Sequence, residues 1–247
     1  MGRDPAAARS RREPVGTRGG CAVGFPGVRL LLVNPNTTAS MTAAIAASAS
    51  AVADPGTVVE ALNPTDGPSS IENEADEHRC VPHLLDVLRD ACARTQNRPD
   101  AYVIACFGDP GLDEARELLD APVLGIAQAA MHGAALLAGT FSVVTSMSAT
   151  VPRGWQLAKA YTPNACQGVY ACDIPVLRID SDPATIEPIA DLCAHALRAD
   201  GSRSIVLGCA AMARFAEPLS QRLGVPVIDG VAAATRLAEA LTPLSPR

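Results

Sequence analysis

Residues 102–109 read YVIACFGD and residues 205–212 read IVLGCAAM. Each is an apolar run suited to a buried strand; each reaches a cysteine and passes into a segment with a helical pattern. A thiol between a strand end and a helix start meets the helix dipole and free backbone N–H groups, both of which favour the thiolate. An ordinary cysteine pKa of about 8.5 then needs only a modest fall to supply a base near neutral pH. Two such thiols on opposite sides of one small molecule can remove a proton from a carbon on one face and return one on the other. That inverts a stereocentre without a cofactor. N–H groups at the same helix starts would hold the enolate oxygen formed on the way. Cys106 and Cys209 are the candidate acid/base pair. A buried cysteine is usually a small hydrophobe, and Cys21, Cys80, Cys92, Cys166, Cys172 and Cys193 lie at no such junction. What singles out the pair is its symmetric placement.

The elements around them alternate. VRLLLV reads as a buried strand stopped by Asn-Pro-Asn-Thr, ASMTAAIAASASAVA as a helix, TVVEAL as a strand and NPTDGPSSIEN as a polar loop. EADEHRCVPHLLDVLRDACART follows as one or two helices, with Pro82 a break or a first-turn residue. DAYVIACF, DPGLDEARELL, APVLGI and AQAAMHGAALLAG then repeat strand, helix, strand, helix. RSIVLGCA, AMARFAEPLSQRL, VPVIDG and VAAATRLAEALT give the same order again. The predicted fold is α/β: two similar lobes, each a parallel sheet flanked by helices, related by a pseudo-two-fold axis with the active site between them. The expected division is a disordered leader or overlong start at 1–27, an N-terminal lobe of 28–130 plus 229–242, and a C-terminal lobe of 131–228. Ligands of such sheets bind beyond the carboxyl ends of the strands, where both thiols fall.

Composition narrows the classes. The chain has 247 residues, 48% of them hydrophobic, 19% charged and 3% aromatic, with a net charge of −6. That describes a globular interior, disfavours a nucleic-acid partner, and leans toward a homo-oligomer. No apolar run approaches the roughly 20 residues of a membrane span, and no secretory signal is visible. A reducing cytoplasm is the expected location, with free thiols. The single lysine, Lys159, sits in WQLAKAYTP on what reads as an exposed helix face, which argues against a pyridoxal Schiff base. His78, His83, His132 and His195 lack ligand spacing, so no metal is expected, and no cofactor. Asp109 and Asp229 read as caps or braces; Asp109-Pro110 suits the cap and first position of the helix after Cys106. Thr37 and Thr38 read as helix-cap or ligand-contact residues, and Glu72 as a loop carboxylate able to reach over the site.

VNPNTTASM, GPSSIEN, DAYVIACFGDPGLDEARE, APVLGIAQAAMH, FSVVTSM, IVLGCAAM and GVPVIDGVAAA together closely resemble the hydantoin racemase family, within the aspartate/glutamate racemase superfamily. The resemblance covers residues 28–242. It implies a cofactor-independent, two-cysteine racemase of 5-substituted hydantoins or allantoin, with Cys106 and Cys209 as acid and base. It also implies ring contacts from Asn36, Phe107, Gly108, Thr145 and the backbone at Ala210. Ala211 stands where the family usually has glycine, and its methyl is expected to narrow the pocket or alter the backbone's approach to the ligand. Amino-acid racemases of the superfamily tend to follow their cysteines with polar residues. Here Phe107-Gly108 and Ala210-Ala211-Met212 are apolar, which suits a neutral ring with an apolar substituent. The competing readings are a superfamily decarboxylase, isomerase or amino-acid racemase, a cysteine hydrolase, for which no base adjoins either thiol, and a non-catalytic small-molecule binder.

Overall fold

The computed structural model describes residues 27–244. The leader proposed for the N-terminus, apart from Gly27, and Cys21 with it, lie outside the described residues. The first half runs β1 (Arg29–Val33), α1 (Ala39–Val52), β2 (Val58–Leu62), α2 (Glu74–Cys92), β3 (Ala101–Ile104), α3 (Leu112–Leu118), β4 (Val123–Gly125) and α4 (Ile126–Ala138). The second runs β5 (Phe141–Thr145), α5 (Val151–Tyr161), β6 (Cys166–Ala171), α6 (Val176–Ser181), α7 (Ile186–Asp200), β7 (Ile205–Gly208), α8 (Ala216–Leu223), β8 (Val227–Asp229) and α9 (Gly230–Leu241). One sheet has the order β2-β1-β3-β4 and the other β6-β5-β7-β8, every pairing parallel. The two halves therefore repeat one topology, as the sequence pattern predicts.

Helices cover both faces of each sheet, which is why the central strands read as continuous apolar runs rather than alternating ones. In β1, Leu30 and Leu32 join a cluster with Ile45 of α1 and Val231, Ala234 and Ala238 of α9. The intervening Leu31 and Val33 join Leu84 and Leu88 of α2 on the other face. Helix α4 faces both halves. Ile126 and Ala129 pack with the first sheet, while Ala127, Ala130, Met131 and Ala134 pack with Val143 and Val206 of the second. Its small side chains let it lie close against two neighbours at once.

Two local features differ from the sequence pattern. Pro82 neither breaks α2 nor starts a helix, for α2 is continuous across it. The ring removes only the bond to the His78 carbonyl, and both residues are exposed to solvent. Strand β6 carried no clear signal, because CQGVYA is half-exposed and interrupted by Gly168. A Cβ at Gly168 would lie 2.1 Å from an Asp200 carboxylate oxygen. That carboxylate accepts bonds from Ser142 and Tyr170, so the glycine makes room for the bracing of this edge. Among the described residues, no helix is long and apolar enough to cross a membrane.

Candidate active site

Strand registry brings the two cysteines to equivalent points. Val33 lies opposite Ile104 in the first sheet, and Val144 opposite Leu207 in the second. Cys106 and Cys209 each follow two residues beyond those pairs, and both line one cleft between the halves. Asn36, Phe107, Gly108, Thr145 and Ala210, the ring contacts that the resemblance implies, line it too. Its volume is about 40 Å³. A dry cavity that holds benzene measures roughly 150 Å³, so a five-membered ring enters only if the lining gives.

The approach to each thiol differs. Cys209 caps a 3-10 segment at Ala210–Phe215 that leads into α8. Cys106 is followed by a turn in which the Asp109 N–H donates to the Cys106 carbonyl, and α3 starts only at Leu112. The expected Asp109-Pro110 cap for that helix does not form. Gly111 is the cap, at φ 67°, with no side-chain bond. Asp109 instead accepts from Ala127 N at 3.0 Å and Gln128 N at 2.9 Å, capping α4 from a distance. In the second half Asp229 does the same work locally, accepting from Val231 N and Ala232 N at the start of α9. Gly125 occupies the place in β4 that Asp229 occupies in β8, and a Cβ there would lie 2.1 Å from the Asp109 carboxyl carbon. The first half thus borrows its carboxylate from the loop after Cys106. Burial pushes the Asp109 carboxyl up to about 7, against the pull of the two N–H groups and the Tyr161 hydroxyl.

The electrostatics of the thiols also differ from the sequence expectation. Burial pushes Cys106 well above its ordinary value, with further upward pressure from Cys80 and Glu77 and a counterpull from the Gly108 N–H. Burial pushes Cys209 up to about 11, against the Ala211 N–H and the Ser146 hydroxyl. The N–H groups favour the thiolate as anticipated; loss of water around the sulfur outweighs them. All seven described cysteines are free.

Asn36 is 4% exposed. Its Oδ1 accepts from Asn34 Nδ2 and Thr38 N, both at 2.9 Å, while its own amide nitrogen meets only the Met41 sulfur at 3.6 Å. That leaves a fixed, under-used donor on the cleft wall. Thr145 Oγ1 donates to the Gly208 carbonyl at 3.0 Å. Thr38 stands at the cap position of α1, yet its hydroxyl donates to the Ser69 carbonyl at 2.6 Å, and Thr37 lies against Pro68. Glu72 does not line the cavity. Its carboxylate crosses to the other half and accepts from Val176 N at 2.9 Å. Ala211 does not line it either. It packs with Met41 and Met212 in the core of the second half, so the expected narrowing does not arise from its methyl.

The sequence reading missed Glu77, Ser146, Thr150 and Arg153, all of which line the cleft. Ser146 directly follows Thr145 and could have been found. Glu77 and Arg153 gave no signal, because one comes from the first turns of α2 and the other from α5. Arg153 donates twice to the Gly108 carbonyl, at 3.0 and 2.8 Å, and lies 3.6 Å from Glu77. A Cβ at Gly108 would lie 2.3 Å from Glu77 Oε1, so any larger residue there would push the Glu77 carboxylate aside. Lys159 is exposed on α5, and among the described residues no group of three or more His, Cys, Asp or Glu is placed to hold a metal ion.

Two similar parallel-sheet halves around a shared cleft make up a racemase fold. The sequence model of the Asp/Glu/Hydantoin racemase family matches residues 30–238, and the chain belongs to that family and is an isomerase. It is 46% identical to a hydantoin racemase of Rhizobium meliloti, over 85% of this chain and 87% of that one. It is 42% identical to a hydantoin racemase of Paenarthrobacter aurescens, over 88% and 92%. The solved structure of allantoin racemase from Klebsiella pneumoniae superposes with a TM-score of 0.84 at 43% identity, covering 88% of this chain and 89% of that one.

Proposed function

We propose that this protein racemises 5-monosubstituted hydantoins, allantoin among them, through two thiols and an enolate. The observation that carries the reading is the presence of Cys106 and Cys209, at equivalent strand ends, on one cleft. The C5 hydrogen of a hydantoin is acidified by the adjacent ring carbonyl. One cysteine, as thiolate, takes that proton, the electron pair moves onto the carbonyl oxygen, and the other thiol returns a proton to the opposite face of C5. Proton count and charge are restored after each inversion, with the two sulfurs exchanging roles. The Asn36 amide is the donor free to meet a ring carbonyl, and Phe107 and Ala210 supply the apolar walls that exclude water and keep the enolate from being quenched at random. Relatives named for hydantoin and allantoin racemisation support the substrate class.

The division into lobes at 130/131 and 228/229, with α9 returning to the first lobe, is part of the same proposal and is supported by the packing of α9 on β1 and α1. A cytoplasmic setting accords with the cysteines among the described residues, all of them free. Leu136 and Leu137 of α4, 83% and 71% exposed, support a homo-oligomer.

The test is loss of optical purity and C5 deuterium exchange with single enantiomers of benzylhydantoin and allantoin in D₂O, against a no-enzyme blank. Cys106→Ser and Cys209→Ser are each expected to lower racemisation by about 10²–10⁴-fold, the span of positioned acid–base catalysis. Full activity in either variant would sink the two-thiol scheme.

A further inference from the structure

The cleft that holds the thiols is too small for a ring and its substituent together, so the substituent must lie in a neighbouring space. A cavity of about 340 Å³ adjoins it and shares three lining residues with it: Glu77, Thr150 and Arg153. Another cavity, about 410 Å³ and walled mainly by alanines of α1 and the 3-10 segment after Cys209, shares only Ala210.

The partition toward the 340 Å³ cavity is polar and built across the two halves. Glu77 comes from α2 and Arg153 from α5, and they meet at 3.6 Å, longer than a hydrogen bond. Arg153 commits Nε and Nη2 to the Gly108 carbonyl. Among the described residues, its Nη1 and the Glu77 carboxylate have no hydrogen-bond partner. A donor and an acceptor thus stand side by side at the exit from the reaction cleft. Beyond Glu77 the wall carries four more acidic residues, Glu74, Asp109, Asp113 and Glu114, against Arg153 and His78.

We infer that Arg153 and Glu77 are specificity-determining residues that receive a neutral, hydrogen-bonding substituent of the ureido or carboxamide kind in the 340 Å³ cavity. The inference rests on the hydantoin reading above. A ureido carbonyl accepts from Arg153 Nη1 while its N–H groups donate to Glu77, so both groups without a hydrogen bond are used at once. An alkyl or aryl substituent would strip water from the same pair and give nothing back, which costs affinity. An anionic substituent would face the surplus of carboxylates. The apolar flanks of Cys106 and Cys209 therefore describe the bed of the ring, while the substituent is read by the ion pair.

The experiment measures kcat/KM for single enantiomers of 5-ureidohydantoin, which is allantoin, and of 5-isobutyl- and 5-carboxymethylhydantoin, by circular dichroism against a no-enzyme blank. Ureido and isobutyl groups have the same number of heavy atoms and differ in polarity. The wild type is expected to favour ureido over both others by at least about tenfold. Arg153→Met is expected to cut the ureido-to-isobutyl ratio by about ten- to a hundredfold, Arg153→Lys to recover part of it, and Glu77→Gln, which keeps the side-chain shape, to lower it independently. An isobutyl preference in the wild type would overturn the inference and point to the alanine-walled cavity. A ratio unmoved by folded Arg153→Met and Glu77→Gln would overturn it as well. Loss of racemisation with all three hydantoins would instead overturn the parent reading, and this inference with it.

Discussion

At the scale of single residues, desolvation governs both thiols. Cys209 sits at a helix-like start with the Ala211 N–H and Ser146 hydroxyl aimed at it, and its pKa is still pushed up to about 11. Cys106 moves in the same direction for the same first cause. A raised pKa favours the protonated thiol at neutral pH. Alkylation by iodoacetamide, which follows the thiolate, is therefore expected to climb steadily from pH 7 to 10 at Cys106 and Cys209, with Cys209 titrating near pH 11. Site-resolved mass spectrometry measures it. A plateau at or below about pH 8.5 would mean that the backbone donors outweigh burial after all. Sequence patterns located these two cysteines because a strand–Cys–helix punctuation is local. They could not report the sign of the pKa shift, which depends on how much water the opposite half removes.

At the scale of elements, the two halves solve one problem differently. Helices α4 and α9 each begin directly after an edge strand and need an acceptor for their free N–H groups. Asp229 provides it in place, whereas α4 begins after Gly125 and receives Asp109 from the loop that follows Cys106. The carboxylate that caps α4 therefore also fixes the turn carrying Cys106. Gly125→Ala is expected to destabilise the protein by about 2–3 kcal/mol through the clash with Asp109. The double change Gly125→Asp with Asp109→Gly copies the arrangement at Asp229 and places glycine at φ 46°, where a left-handed residue is needed. Urea unfolding should find the double variant more stable than Gly125→Ala; equal or lower stability would show that the loop cap cannot be exchanged for a local one. The aspartate's capping role was readable in the sequence, but not the helix it caps, because Asp109-Pro110 stands directly before α3 while its partners lie 18 and 19 residues on.

At the scale of the whole molecule, the two halves share a core. Helix α4 packs on both sheets, Ala210 from the second half sits with β1 and α9, and Phe107 from the first sits with Val143 and Val206 of the second. Polar ties cross the cleft as well: Glu72 to Val176 and Ser40 to Asp180. The halves should unfold together. Trp155, the only tryptophan, lies on α5 and reports the second half, while far-ultraviolet circular dichroism reports the whole. Their thermal transitions are expected to coincide, and separated midpoints would mean that the shared core does not couple the halves. The sequence by itself determined the repeated α/β order, the buried central strands, the junction cysteines and the apolar residues beside them, because each is written in local periodicity or in neighbours along the chain. Only the tertiary structure decided that Glu77 and Arg153 line the cleft, that Ala211 turns away from it, that Asp109 serves α4, and that burial raises both thiols. Each of those facts depends on groups distant in sequence meeting where water has been excluded, and no local pattern records that meeting.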